Sequence, residues 1–220
     1  MNKITVSILT LILLSPFIQA QQIDTLQGDL GEVVVTGFEG NRSVMETPGA
    51  ITNIDAERVS GFDETSLLFG LNTVPGVRIE QRAPGSYRVA IRGSSLRAPF
   101  VRNVKIYWND IPFTAPSGST PLNLLDVINM QEVEVIRGPA GSIYGAGNGG
   151  ALLLESRQSS QNEVGAGTMF GSYGLQRYTA YAEQQMDRGN FRFNYSNQHL
   201  DGYRDQSFFD RQTAELSGRF

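Results

Sequence analysis

The chain has no cysteine among its 220 residues and a single histidine, His199. The missing thiols exclude disulfides, thiolate-bound metals and a cysteine nucleophile. One imidazole also excludes a His-rich zinc site and most histidine-based catalytic triads. Basic residues are also outnumbered by acidic ones, because the chain has 18 Lys and Arg and 22 Asp and Glu, which gives a net charge of −4. This balance argues against a general nucleic-acid-binding protein.

Long hydrophobic runs are absent apart from a short one at the amino terminus. Within Met1–Ala20, Lys3 precedes the apolar stretch Ile4–Leu14, and the small residue Ala20 ends the segment. These features predict a signal peptide on an exported chain. The alternative is a transmembrane anchor, but the apolar stretch is shorter than the ~20 residues that cross a bilayer as a helix. A chain with no other apolar run can span a membrane only as a β-barrel.

Between Gly31 and Arg157, short apolar runs alternate with Gly and Pro, which predicts strands mixed with short helices. The predicted strands are Val33–Thr36, Ala50–Ile54, Val77–Glu80, Arg88–Arg92, Val104–Trp108, Glu132–Arg137 and Ala151–Glu155. The predicted helices cover residues 56–59, 64–72 and 121–125, with Asp55 and Asp63 as caps of the first two. The loop Gly138–Gly150 is predicted to contain no helix, because five glycines occupy positions 141–150.

From Gln158 to Phe220 the pattern changes to alternating aromatic and polar residues. The clearest strand has two predicted faces, one with Phe191, Phe193 and Tyr195 and the other with Arg192, Asn194 and Ser196. Residues 213–220 alternate in the same way, weaker alternation predicts strands over Glu163–Phe170 and Arg177–Glu183, and a long loop is predicted over His199–Arg211. Such strands fit a transmembrane β-barrel and a soluble β-sandwich about equally well.

Five segments occur in one characteristic order, namely Glu32–Gly37, Leu71–Ile79, Ile91–Gly93, Val104–Pro112 and Val133–Tyr144. In that order they resemble the TonB box, the helix-to-strand junction, the I-R-G segment, a strand ending in a turn and a proline, and the R-G-P signature of TonB-dependent outer-membrane receptors. Asn109 and Asp110 depart from the usual Asp-Gly of the fourth segment. The resemblance covers about residues 32–220.

This resemblance implies an α+β plug domain, with a small mixed sheet and short helices, followed by antiparallel strands of an incomplete transmembrane β-barrel. The implied divisions are a signal peptide over 1–20, a mobile segment with the TonB box over 21–40, the plug over 41–157 and the first barrel strands over 158–220. Family barrels close with about 22 strands. The chain after Arg157 is too short for that, so we expect a fragment of a longer receptor or the product of a truncated gene.

The implied function is energy-coupled uptake across the outer membrane, with the lipid of that membrane around the strands. Glu32, Val33, Val34, Val35, Thr36 and Gly37 are expected to couple to the C-terminal domain of TonB. An extended, β-branched segment can add as a strand to an exposed sheet edge of a partner. The alternative is an ordinary first strand of the plug.

Two arginines in matching R-G segments, Arg92 and Arg137, are implied to lock the plug to carboxylates of the barrel wall. The expected carboxylates lie beyond Phe220, and a guanidinium suits such a contact because it binds a carboxylate through two nitrogens. The alternative is that both arginines only brace the plug.

Loops at the outer end of the plug are implied to bind ligand, through Arg82, Tyr87, Arg97, Phe100, Phe113 and Thr114. Arginines beside aromatic rings suit an anionic, partly apolar chelate such as a ferric siderophore. Each of these residues can instead be a solvated loop residue or pack against the barrel. No cofactor, resident metal or nucleic-acid partner is expected.

Two other classes of function remain open at this point. A truncated product could act as a periplasmic binding or structural protein, and the chain could be a secreted soluble β-protein. An enzyme is not expected, because the sequence offers no matched nucleophile and base. Asp201, Asp205 and Asp210 lie in a Gly-containing loop, but their spacing follows no known calcium loop.

Overall fold

The computed structural model describes residues 34–40, 42–47, 49–61, 63–94, 101, 103–117, 119–138, 141–145 and 147–219. The predicted signal peptide, together with Glu32, Val33, Arg97 and Phe100, lies outside these residues. Within the described ranges, no helix is both long enough and apolar enough to cross a membrane.

The described strands are β1 (Val34–Val35), β2 (Arg42–Ser43), β3 (Ala50–Asp55), β4 (Val77–Ala83), β5 (Ser86–Ile91), β6 (Val104–Trp108), β7 (Ile111–Pro112), β8 (Met130–Arg137), β9 (Gly150–Ser156), β10 (Glu163–Phe170), β11 (Gln176–Met186), β12 (Gly189–Leu200) and β13 (Phe209–Arg219). The α-helices are α1 (Ala56–Ser60), α2 (Leu68–Asn72) and α3 (Gly141–Tyr144). Turns of 3-10 helix cover Gly37–Glu39, Val44–Glu46, Leu122–Leu124 and Val127–Asn129. We call the part from β2 to β9 the plug and the sheet of β10–β13 the wall.

The larger sheet of the plug has the strand order β3-β8-β9-β6-β7. β8 lies antiparallel between β3 and β9, while β6 runs parallel to β9 and pairs with the short β7 at the edge. Almost every residue of β9 is buried, as its continuous apolar run requires. The plug is therefore built around a mixed sheet, as the resemblance implied.

A hairpin and two short helices share the main hydrophobic core with this sheet. β4 and β5 form the antiparallel hairpin, and α1 and α2 contribute Val59 and Leu71, both fully buried. Asp55 caps α1 as predicted, because its side chain accepts a hydrogen bond from the Arg58 N–H at 2.8 Å. The core thus joins residues from both halves of the plug sequence.

The wall is an open antiparallel sheet in which β10 to β13 pair in sequence order. Its buried face is polar and includes Arg177, Glu183, Arg192, Asn194, Ser196, Gln198 and Arg211. Its exposed face is apolar and includes Val164, Phe170, Tyr178, Phe193, Tyr195 and Leu216. A half-buried sheet of a soluble protein has the reverse arrangement. Strands of a transmembrane barrel have the arrangement seen in the wall, with apolar side chains facing outward and polar side chains facing inward.

The predicted fold class is confirmed, and several predicted strands match closely. Val104–Trp108 has the predicted bounds, and the strand predicted at Ala50–Ile54 extends by one residue to Asp55. The alternation predicted around Phe193 is also confirmed, because Phe193 and Tyr195 are exposed, Phe191 is half-buried, and Arg192, Asn194 and Ser196 are buried.

The helix predicted over residues 64–72 is too long, because α2 begins only at Leu68. Asp63 does not cap a helix there. Its carboxylate accepts hydrogen bonds from the backbone N–H and the hydroxyl of Thr65, at 2.8 and 2.6 Å. These bonds close a local turn, so the helix starts after it.

Two further local predictions are wrong. The glycine-rich loop contains one helical turn, α3, and Gly145 follows its end with a φ of +78°, which suits a glycine. The long loop predicted over His199–Arg211 is shorter, because β12 continues to Leu200 and β13 begins at Phe209. Paired polar residues such as His199 and Asp210 extend the ladder there.

Candidate functional site

The described part of the predicted TonB box is docked on the plug. Val34 and Val35 pair antiparallel with Ser43 and Arg42. Val35 is fully buried and belongs to a small hydrophobic cluster with Ile51, Ile136, Tyr144, Ala151 and Leu153. Residues predicted to pair with a partner are therefore already paired within this chain.

A buried carboxylate holds the next two residues of the box. Glu134 on β8 accepts hydrogen bonds at Oε1 from the Thr36 N–H (2.6 Å) and hydroxyl (3.1 Å), and at Oε2 from the Gly37 N–H (2.8 Å). The Glu134 residue is 2% exposed. Burial raises the pKa of its carboxyl above the ordinary value, although the donors of Thr36 and Gly37 act in the opposite direction.

Close packing accompanies these bonds. A Cβ at Gly37 would lie 2.8 Å from Ile51 Cδ1 and 3.2 Å from Glu134 Oε2, so a larger residue would force the segment away. The following Phe38 donates its N–H to the Tyr144 hydroxyl at 2.7 Å, and the two rings are in contact. Sequence reasoning missed Glu134. A usable signal existed, because it is an acidic residue inside the apolar run of β8.

The two predicted lock arginines meet at one turn of the plug. Arg137 donates to the carbonyls of Pro75 (3.0 Å) and Ala50 (3.4 Å) and to the Thr52 hydroxyl (3.0 Å). The Arg92 N–H donates to the carbonyl of the neighbouring Gly76 at 2.8 Å. Among the described residues, neither guanidinium lies within ion-pair distance of a carboxylate. Arg137 braces the plug, and the barrel carboxylates expected for both remain a prediction.

A different charged contact joins the plug to the wall. Compared with the predicted lock, the positions of the acid and the arginines are exchanged. Asp126 lies between Arg177 on β11 and Arg211 on β13, with its Oδ1 bonded to Arg177 and its Oδ2 3.4 Å from Arg211 Nη2. All three side chains are almost wholly buried. Arg211 also donates to the Leu125 carbonyl at 2.8 Å. Here the plug supplies the carboxylate and the wall supplies the arginines.

A second polar contact lies nearby on the same plug loop. Asn129 donates to Glu215 of β13 at 2.8 Å, and a separate buried pair, Arg192 and Glu183 at 2.7 Å, ties β12 to β11. Sequence reasoning placed Arg192 correctly on the polar face but did not foresee that Asp126 would meet the wall. The partners of Asp126, Arg177 and Arg211, are 51 and 85 positions away along the chain, so no local sequence pattern could reveal them.

The β4–β5 hairpin and the wall enclose a cavity of about 240 Å³. Its lining includes the predicted ligand residues Arg82 and Tyr87, together with Ser66, Tyr203 and Phe209. The Tyr87 hydroxyl is 3.2 Å from Ser66 Oγ. Burial raises the pKa of the Tyr87 phenol above its ordinary value, so it stays neutral and can donate a hydrogen bond.

The loop after β12 is held against this hairpin, since Arg204 donates to the Arg82 carbonyl at 3.0 Å. The other predicted ligand residues are elsewhere. Phe113 lines a different cavity beside Leu125 and Thr213, and the Thr114 hydroxyl bonds to Thr120 at 3.1 Å. Arg97 and Phe100 fall outside the described residues. The structure thus brings together two of the six predicted residues.

A family model described as TonB-dependent Receptor Plug Domain matches residues 43–152 of this chain. Among curated proteins, the chain is similar to the vitamin B12 transporter BtuB of Vibrio vulnificus strain CMCP6, with 27% identity over 177 residues. That alignment covers 78% of this chain and 28% of the transporter. The chain spans about a third or less of the curated relatives it matches.

Two solved structures share the fold. One is the pyoverdine outer membrane receptor FpvA from Pseudomonas aeruginosa PAO1 bound to pyoverdine, with a TM-score of 0.67 and 20% identity, covering 93% of this chain and 30% of that one. The other is the unliganded ferric citrate transporter FecA, with a TM-score of 0.66 and 21% identity, covering 85% and 31%. At these identities the likeness concerns the fold alone.

Proposed function

Because the chain belongs to the TonB-dependent receptor plug domain family, we propose that it acts in TonB-dependent uptake of a scarce ligand across the outer membrane. The observation that carries this proposal is the wall, whose buried face is polar and whose exposed face is apolar. A sheet with lipid on one side and the polar surface of the plug on the other is expected to distribute its side chains in this way. In a periplasmic or secreted soluble protein, the same face would expose a large apolar patch to water. Receptors of this family are outer-membrane proteins, and the chain shares that location.

The proposed ligand is a ferric siderophore or a similar iron chelate. Such chelates are anionic and partly apolar, and the cavity at the β4–β5 hairpin offers Arg82 beside Tyr87, Tyr203 and Phe209. The fold shared with a pyoverdine receptor and a ferric citrate transporter supports this class. Vitamin B12 is the second candidate, because the curated relative of 27% identity is a vitamin B12 transporter.

The proposed coupling element is Glu32–Gly37, which would add as a strand to a sheet edge of the TonB C-terminal domain. Backbone hydrogen bonds would then carry the pulling force. Val34 and Val35 must first leave β2, and Thr36 and Gly37 must leave Glu134. Coupling on this proposal therefore requires the segment to undock.

The proposed lock involves Arg92 and Arg137 with carboxylates of a complete barrel wall. The exposed Arg92 is available for such a contact, because none of the described carboxylates binds it. Arg137 is already held by Ala50, Thr52 and Pro75, so its role would combine bracing with locking.

Growth under iron limitation tests the transport proposal. A strain lacking the gene is grown with ferric siderophores, ferric citrate or haem as the iron source, and separately with cobalamin under conditions where growth depends on cobalamin. It is complemented with the intact locus. A defect restricted to one iron chelate, restored by the locus, supports the proposed ligand class. A defect restricted to cobalamin replaces it with the second candidate. Normal growth on every compound contradicts uptake of either class.

Val34→Pro tests the coupling segment. Proline removes the backbone N–H that a paired strand donates, so uptake should be lost while ligand binding to cells is retained. Val34→Thr is the matched control, because it keeps the β-branched shape and the N–H and should transport normally. Radiolabelled ligand measures binding and uptake separately. Undiminished uptake by Val34→Pro would overturn the coupling assignment.

A further inference from the structure

Glu134 is a buried acid without a basic partner among the described residues. Its hydrogen bonds come instead from Thr36 and Gly37, which lie 98 and 97 positions earlier in the chain. Buried carboxylates are usually stabilised by arginine or by several donors, since desolvation otherwise disfavours the charge. Here the donors belong to a segment that the coupling proposal requires to leave.

The geometry fits recognition of that one segment. Each carboxylate oxygen receives a different backbone N–H, and the Thr36 hydroxyl adds a third donor. Two successive N–H groups around one anion form a concave cradle. Gly37 allows the close approach, because a Cβ there would touch Glu134 Oε2. Removing the segment would take all three of these donors away from the carboxylate.

Glu134 also lies on the strand that anchors the plug. β8 is paired on both sides, with β3 and β9, so the carboxylate is fixed to an inner strand of the larger sheet. Among the described residues of the segment, the strand pairing with β2 is limited to Val34 and Val35. The bonds to Glu134 therefore connect the terminal segment directly to the rigid part of the plug.

We propose that Glu134 is the positioning residue that holds the coupling segment docked and sets the fraction of molecules in which it is released. This inference rests on the proposed function of Glu32–Gly37. TonB would bind the released segment, so a weaker hold at Glu134 would expose the segment before ligand arrives. Glu134 itself contacts neither ligand nor TonB on this view.

Thiol labelling of the purified receptor tests this directly. The chain has no native cysteine, so a single Val35→Cys reports the docking of the fully buried Val35. We expect Glu134→Gln to raise the labelling rate at this position by about tenfold, because an amide offers one acceptor oxygen where the carboxylate offers two. Thr36→Val, which removes only the hydroxyl donor, should give a smaller increase.

Glu132→Gln is the matched control. Glu132 lies two residues earlier on β8 and bonds to Asn53, so it carries the same charge without touching the segment. Its labelling rate at Val35→Cys should match that of the unchanged receptor. A second reporter, Val59→Cys, sits in the main core and detects global unfolding.

Three outcomes decide the proposal. Faster labelling at position 35 alone in Glu134→Gln supports it. Unchanged labelling there, or equal acceleration at positions 35 and 59, overturns it. The measurement needs no TonB, so it is independent of the coupling proposal. If Glu134→Gln releases the segment while Val34→Pro still transports, the positioning role stands and the coupling role fails.

Discussion

The plug and the wall bury opposite kinds of side chain. In the plug, Leu152 and Leu154 on β9 are at most 1% exposed. In the wall, Arg192 and Asn194 are buried, while their neighbour Phe193 is 46% exposed and Leu216 is 73% exposed. The two sheets therefore suit different environments, because β9 is a continuous apolar run that is buried on both faces, whereas the wall strands alternate between a polar and an apolar face. The plug sheet packs on apolar elements, and the wall has a polar surface on one side and fits lipid on the other.

The boundary between the two regions is held by charge more than by apolar packing. Asp126 of the plug enters the polar face of the wall between Arg177 and Arg211, and Asn129 bonds to Glu215 close by. Buried ions are tolerated only when they are paired and hydrogen-bonded. A polar boundary does not depend on a hydrophobic core shared by the plug and the wall.

Asp126→Ala should lower the free energy of unfolding more than the other substitutions at the plug–wall boundary or on the wall. It leaves two buried guanidinium groups without their carboxylate, and removing one partner of a buried ion pair costs about 3–5 kcal/mol. Urea unfolding of the receptor in detergent micelles measures the free energy of unfolding, and protease digestion measures how firmly the plug is held. A loss below about 1 kcal/mol would contradict the role of Asp126 as the paired charge at this boundary.

Leu216→Arg tests the other side of the wall. A charge placed on the lipid face near the middle of a barrel strand costs about 2–4 kcal/mol in a bilayer. Leu216→Val keeps the position apolar and should be nearly neutral. Reconstitution of both variants into lipid vesicles, followed by unfolding, compares them. If Leu216→Arg were as stable as Leu216→Val, the exposed face would not be a lipid face.

Local patterns predicted the elements well and the site poorly, for a physical reason. The alternation around Phe193 and the strand Val104–Trp108, rich in β-branched and aromatic residues, are signals of strand structure that are visible in a short window. Glu134 and Asp126 act through partners from 51 to 98 positions away. Which residues become neighbours across such distances is decided by tertiary packing, so the acidic position of Glu134 in the apolar run of β8 indicates a buried charge without indicating its partner.

Turn chemistry explains the local errors. The glycines around α3 mark the ends of a helical turn, although their number predicted a loop without one. Asp63 uses its side chain to close a turn at Thr65, although an aspartate before an apolar run predicted a cap. At Asp63 a local turn competes with the helix and delays its start, whereas at α3 the glycine that follows the helix provides its end.

Glu155→Gln should have the smallest effect of the three substitutions, because it alters a solvent-exposed ion pair between the plug and the wall. Glu155 of the plug lies 4.0 Å from Arg219 of the wall, with side chains 34% and 66% exposed. Water screens such a pair, so its loss should cost no more than about 1 kcal/mol.

Added salt should reduce that cost further, while the cost of Asp126→Ala should change little. The same urea series at low and high salt compares the two variants. If Glu155→Gln destabilised the receptor as much as Asp126→Ala, burial would not be what distinguishes the two plug–wall contacts.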